Sequence, residues 1–320
     1  MTPDPGDVPV HDGSPHELSW KDLLAAARED ATFCRARDLV RLCESVIARA
    51  GLTGFNSMGS PRKDAEALVF ETLAIRDHNE RYLDAAVSSL ERVQILGLLE
   101  RRVDGPTPVP YLLGESFFAG RRFTVRPGVF IPRSALGKLL DQVLAEVVWS
   151  AQPRALELGC GTGALGISIA VRVPAANVDL VDIDPLAVQV ATANIRRHRV
   201  GERMQAAVSD MYDGVDRAAR YDVIVANLPY VPEAQIGRTN TEIDAEPQTA
   251  IYRPGDGLDL VRRALAGSAP HLADRGLLVL EVGTSNQPAV AELLAGRGRW
   301  WQSGGAAAGV VSLTRADLEA

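Results

Sequence analysis

The sequence is poor in cysteine, in aromatic residues and in long apolar runs, and each shortage removes a class of protein. Only three cysteines, Cys34, Cys43 and Cys160, stand scattered among 320 residues, with no spacing that suits a metal. A disulfide-stapled or metal-held scaffold is therefore not expected, and reduced thiols in a cytoplasmic protein are. No apolar stretch reaches the ~20 residues needed to cross a bilayer, so no membrane partner is expected. No basic stripe offsets a formal charge of −7, from 34 Lys and Arg against 41 Asp and Glu. That balance argues against nucleic acid as the main partner. No segment repeats. The first 16 residues are rich in Pro, Gly and Asp rather than basic then apolar, so residues 1–17 are expected to be a flexible tail and not a signal peptide.

What is present is ordinary in bulk. Hydrophobic residues make up 46% and charged residues 23% of a chain long enough for one large or two ordinary domains. Residues 18–105 read as a helical N-terminal domain. Trp20, Leu23, Leu24 and Ala27 recur at helical spacing, as do Leu39, Leu42, Val46 and Ile47. Ser60-Pro61 is a cap and first-turn proline for a helix carrying Leu68, Val69 and Leu73. Residues 106–133 change character: Phe117, Phe118, Phe123 and Phe130 are interleaved with Gly114, Gly120 and Gly128, which reads as a β-hairpin linker. Most of these rings suit the hairpin core, and Phe118 is the candidate to stack on a planar base.

Residues 134–320 open with an amphipathic helix at Ser134 and then alternate strand and helix, the pattern of a doubly wound α/β domain. Strands are expected at 155–158, 178–181, 206–208, 221–225, 276–282 and 310–314. Glu157-Leu-Gly159-Cys-Gly161-Thr-Gly163 lies between the first strand and its helix, where glycines permit a tight turn and a ligand's approach to the backbone. The spacing is G-x-G-x-G with an acid two residues earlier, not the G-x-G-x-x-G of a dinucleotide site. It favours a ligand with a cationic amino acid end and no pyrophosphate, and S-adenosylmethionine fits. Asp182, 19 residues after Gly163, is placed for a ribose diol, and Asp210 for an adenine amino group. Asp222-Val-Ile-Val-Ala-Asn227-Leu228-Pro229-Tyr230 is a buried strand that delivers an amide, a rigid corner and an aromatic ring to the mouth of the sheet.

Glycine loop, Asp182, Asp210 and Asn-Leu-Pro-Tyr in this order resemble a class I S-adenosylmethionine-dependent methyltransferase. More narrowly, the chain resembles the glutamine-amide methyltransferases that modify translation release factors and a ribosomal protein. The likeness extends over Val109-Pro-Tyr-Leu112, Ile131-Pro132-Arg-Ser134, Glu246-Pro247, Gly255-Asp-Gly-Leu258 and Glu281-Val-Gly283. It implies a seven-stranded Rossmann-like domain after a helical domain and a hairpin. It also implies that Glu157, Asp182, Asp210 and the glycines hold the cofactor, with Pro132 beside it. Asn227 and the following carbonyl would grip a substrate NH₂, and Tyr230 would pack on it. The sequence departs from the family's Asn-Pro-Pro-Tyr at Leu228, and the segment beyond is acidic, with Glu233, Glu242, Asp244 and Glu246. Two such acids facing the cleft would pair with a guanidinium, and Glu242 or Asp244 would take up its proton. The expected acceptor on this reading is the guanidinium of free arginine or a small arginine-like metabolite. The alternatives are a protein glutamine, the family's default, and a cofactor-binding module without catalysis. The oligomeric state is left open.

Overall fold

The computed structural model describes residues 19–29, 35–54, 57–75, 79–105, 107–238, 241–301 and 308–320. The expected tail and Cys34 lie outside them. The chain divides into two compact units, Met1–Thr53 with Ser60–Asp104, and Gly54–Gly59 with Gly105–Ala320.

The first unit is helical: α1 (Trp20–Glu29), α2 (Ala36–Arg49), α3 (Pro61–Thr72) and α4 (Ser89–Asp104). Helix α2 buries Leu39, Val40, Cys43, Val46 and Ile47 along one stripe. The Ser60 hydroxyl accepts from the Lys63 N–H at the start of α3, where Pro61 occupies the first turn. Asp64 of α3 and Arg102 of α4 form an ion pair at 2.9 Å with both side chains fully buried. Such a pair is costly to desolvate, and removing either partner alone would strand a buried charge.

The second unit begins with a short helix, α5 (Val109–Leu113), and a hairpin of β1 (Glu115–Phe118) and β2 (Arg121–Thr124). Helices α6 (Ala135–Glu146), α7 (Ala164–Arg172), α8 (Pro185–Arg197), α9 (Asp259–Ser268), α10 (Gln287–Leu294) and α11 (Arg315–Glu319) follow. The strands are β3 (Arg154–Leu158), β4 (Asn177–Asp182), β5 (Met204–Val208), β6 (Tyr221–Ala226), the two-residue β7 (Val231–Pro232) and β8 (Tyr252–Arg253), β9 (Leu272–Gly283), β10 (Arg299–Trp301) and β11 (Ala308–Thr314). Seven of them form one sheet in the order β10-β11-β9-β6-β3-β4-β5. It is parallel from β5 to β9, and β11 and β10 are antiparallel additions. Every residue of β6 is buried, as a central strand covered on both faces requires. The direction of winding reverses between β3 and β6, which are hydrogen-bonded neighbours. That reversal opens a crevice beyond their carboxyl ends.

The hairpin is packed into the second unit. Asn194 of α8 is fully buried and makes three hydrogen bonds: its amide nitrogen donates to the carbonyls of Thr124 (3.0 Å) and Thr162 (2.9 Å), and its oxygen accepts from the Thr124 N–H (2.7 Å). Among the described residues no helix is long and apolar enough to cross a membrane.

Candidate active site

The glycine loop leaves β3 with Gly159, Gly161 and Gly163 all left-handed, at φ of 63°, 53° and 74°. A side chain would be strained at each, and contact separates their roles further. A Cβ at Gly159 would stand 2.9 Å from a Leu228 methyl, and one at Gly163 2.9 Å from a Leu180 methyl. A Cβ at Gly161 would meet nothing within 4 Å. The outer glycines are thus pressed onto the core, and the middle one borders open space in the crevice. Asp182, at the end of β4, holds that middle turn: one carboxylate oxygen accepts from the Gly161 N–H at 2.8 Å, the other from the Asp184 N–H at 3.0 Å. Burial raises its carboxyl above the ordinary range. Glu157 is 5% exposed and turned beneath the loop, accepting from the Gly166 N–H in the first turn of α7 at 2.7 Å. Burial pushes its carboxyl up to about 8. Asp210, beyond β5, is part-exposed and pairs with Arg263 of α9 at 2.9 Å.

Across the crevice, β6 ends and Asn227 emerges half-buried, with no hydrogen-bond partner for its side chain among the described residues. Leu228 turns the other way. Its side chain is 5% exposed and packs in the core with Leu156, Leu158 and Ile224, its methyl lying over Gly159. Pro229 and Tyr230 are half-buried. A side chain at Gly283 would strike the Tyr230 ring at 2.5 Å, and one at Gly257 would strike the Tyr230 carbonyl at 2.3 Å. That carbonyl accepts from the Asn286 amide at 3.1 Å, and the same nitrogen reaches the Asp256 carbonyl at 3.3 Å. Glycine is needed at both places so that the chain can close on the corner. Burial, with Glu281 adding to it, pushes the Tyr230 phenol up to about 12.

Residues 131–136 run between two buried carboxylates. Glu246 accepts from the Ile131 N–H at 2.9 Å and pairs with the Arg133 guanidinium at 2.7 Å. Glu281, at the end of β9, accepts from the Ser134 hydroxyl and from the Leu136 N–H at 2.9 Å, capping α6. Pro132 sits half-buried between these anchors.

Three expected site residues stand elsewhere. Phe118 is 7% exposed, edge-on to Phe123 at 6.2 Å, with Gly137 of α6 directly beneath its ring. It fills the hairpin core and has no free face for a base. Glu242 is fully buried and accepts from the Gly54 N–H at 3.0 Å. Asp244, two residues on, faces solvent. One acid turned inward and one outward do not make a carboxylate pair for a guanidinium. Three residues that brace the corner and the loop, Asn194, Asn286 and Arg133, carried no role in the sequence. A polar residue inside an otherwise apolar stripe of α8 was the one local sign for Asn194.

A seven-stranded sheet with a glycine loop at its switch point, beside an Asn-Leu-Pro-Tyr corner, is the arrangement of a class I S-adenosylmethionine-dependent methyltransferase. Residues 121–272 match the family model described as "Methyltransferase small domain". A ribosomal protein uL3 glutamine methyltransferase of Bordetella pertussis is 37% identical over 252 residues, covering 77% of this chain and 84% of its own. The protein of that name from Burkholderia pseudomallei is 36% identical over 78% of this chain and 85% of its own. That of Neisseria gonorrhoeae is 31% identical over 92% of this chain and 97% of its own. The chain belongs to the protein-glutamine methyltransferase family, and its cofactor is S-adenosylmethionine.

These relatives overturn the expected arginine acceptor, since all three are named for glutamine. The two features that suggested arginine also lose their force. The Leu228 side chain faces the core rather than the cleft, and the Glu242–Asp244 pair does not converge.

Proposed function

We propose that this enzyme methylates the side-chain amide nitrogen of a glutamine in a ribosomal protein, with uL3, the acceptor for which its relatives are named, as the first to test. The observation that carries the reading is the half-buried Asn227 amide, unpaired among the described residues and held beside the glycine loop by Leu228. The open space at Gly161, which a single added carbon would occupy, suits a ligand lying on the loop backbone. Gly159, Gly161, Gly163, Asp182 and Asp210, with Pro132 nearby, are the residues that would hold the cofactor, and Glu157 braces them from beneath.

When bound, S-adenosylmethionine supplies the methyl group that becomes bonded to nitrogen. An amide nitrogen is a poor nucleophile because its lone pair is shared with the carbonyl. The Asn227 side-chain oxygen and the Leu228 carbonyl accept its two N–H bonds, which fixes the nitrogen and draws the lone pair out of conjugation. Such positioning is worth up to ~7–11 kcal/mol. The Tyr230 ring packs on the flat amide group. An N-methylated amide that still carries its extra proton is a strong acid, so it yields the proton to water without a dedicated base.

The test is mass spectrometry of reactions offered uL3, a release factor and free arginine in parallel. One methyl gained on a glutamine of uL3 is expected. Label on arginine alone, or on none of the three, overturns the reading. Asn227→Ala is expected to lower kcat by about 10²–10³-fold, the usual cost of one lost polar contact to the reacting group, with the fold retained by circular dichroism.

A further inference from the structure

Asn286 stands at the start of α10, where an Asn side chain ordinarily accepts from the first free N–H groups of the helix, yet it makes no such bond. Its side chain is 6% exposed and committed elsewhere. The oxygen accepts from the Ser285 hydroxyl at 2.9 Å, which leaves the nitrogen to donate to the Tyr230 and Asp256 carbonyls at 3.1 and 3.3 Å. Those two carbonyls mark the ends of one excursion of the chain. It leaves the corner at Tyr230, passes through residues 231–255 and returns at Asp256 to enter α9. The ends are pressed together. A Cβ at Gly257 would stand 2.3 Å from the Tyr230 oxygen and 3.2 Å from the Pro232 nitrogen. Just inside them Val231 and Pro232 pair with Tyr252 and Arg253. Two carbonyl oxygens at such a neck repel one another, and an amide NH₂ between them supplies the donor that each requires.

The middle of the excursion is tied to distant segments: Glu242 accepts from the Gly54 N–H and Glu246 from the Ile131 N–H. Any shift there would reach the corner unless the neck were held. We propose that Asn286 is a positioning residue for methyl transfer, clasping this neck so that the Leu228 carbonyl keeps its direction towards the acceptor nitrogen. Upstream, the Leu228 side chain is seated in the core over Gly159. Pro229 fixes its own φ and keeps Leu228 extended, so the peptide between them turns only if the chain beyond it moves. That chain is held by the Tyr230 ring, lying on Gly283, and by Asn286 on the Tyr230 carbonyl. The kinetic consequence rests on the proposed reading of the corner as the amide-binding site. The clasp is measurable without it.

The test uses the full chain and Asn286→Asp, which keeps the shape of the side chain and removes its N–H donors. With uL3 as acceptor and mass spectrometry as readout, kcat is expected to fall by about 10²-fold, the cost of a misplacement on the order of 1 Å. KM for uL3 and the affinity for S-adenosylmethionine are expected to stay as they are. The ratio of variant to wild-type kcat should rise as pH is lowered, because a protonated carboxyl regains one donor. A residue that only stabilised the fold would show no such recovery. Hydrogen exchange at the Val231 and Gly257 amides should quicken. Ser285→Ala, which frees the amide to turn over, should show the same changes more weakly and carries the test if Asn286→Asp does not fold. An unchanged kcat in a folded variant, a rise in KM alone, or unchanged exchange at the neck would each overturn the proposal. A wild type inactive on glutamine would remove the proposed function, and the exchange comparison would still decide the clasp.

Discussion

The acids at the strand ends and the acids of residues 233–246 are the same residue types in two settings, and they do different things. Asp182 is tied to the backbone of the loop it serves, and Glu157 braces that loop from below. Glu242 and Glu246 are just as buried, yet they hold Gly54 and Ile131, chain segments remote in sequence. A cluster of acids in the sequence therefore says little about a cationic substrate. The buried carboxylates of both groups go to backbone N–H groups, because a charge-assisted hydrogen bond offsets part of the cost of burying the carboxylate and leaves no buried donor unpaired.

The contrast can be broken most sharply at Glu242. Glu242→Ala would leave the Gly54 N–H without its acceptor and is expected to cost about 1–3 kcal/mol in denaturant unfolding. A neutral result would return Glu242 to the cleft. Glu157 tests the loop side through pH. Its carboxyl ionises at about 8 in the fold and at 4.5 ordinarily, so between these values unfolding releases a proton. Its stabilising effect is complete below 4.5 and is lost as pH rises to about 8, so the melting temperature should fall across that window. Asp182 and Glu281 are raised by burial too and add the same sign. Glu157→Gln should flatten part of the fall, and an unchanged profile would remove Glu157 as its source. The smallest effect is expected at Asp244. Asp244→Asn, on the surface, should change stability by less than about 0.5 kcal/mol and leave glutamine methylation as it was. A large loss of turnover would show that this acid reaches substrate after all.

The parallel half of the sheet was legible because short apolar segments alternate with helical ones between turn residues, and β6, with its Val-Ile-Val run, is the clearest case. Strand β10 was not: Arg299-Trp-Trp301 has no alternation of its own and is a strand only through pairing with β11. The glycine loop and the Asn-Leu-Pro-Tyr corner were legible for a similar reason, since both are contiguous and sit at strand ends. What holds them was hidden. Ser134 meets Glu281 across 147 positions, and Ile131 meets Glu246 across 115, separations that no local pattern encodes. Phe118 was misread for the same cause: an aromatic residue beside glycines looks available until the helix that covers it, with Gly137 leaving room for its ring, is in place. The departure at Leu228 looked like a change of substrate because its side chain's direction, into the core over Gly159, is a property of the fold alone.

Asn194 gives the molecule a shared hinge pin. Its three hydrogen bonds join the hairpin backbone at Thr124 to the glycine loop at Thr162, and all of them are buried. Lifting the hairpin would break two of the three bonds and leave the buried amide with the Thr162 carbonyl alone. The two are thus expected to open as one cooperative unit, protected together in hydrogen exchange. A ligand that quiets the loop would then also stiffen the hairpin, carrying news of cofactor binding to a surface the cofactor does not touch.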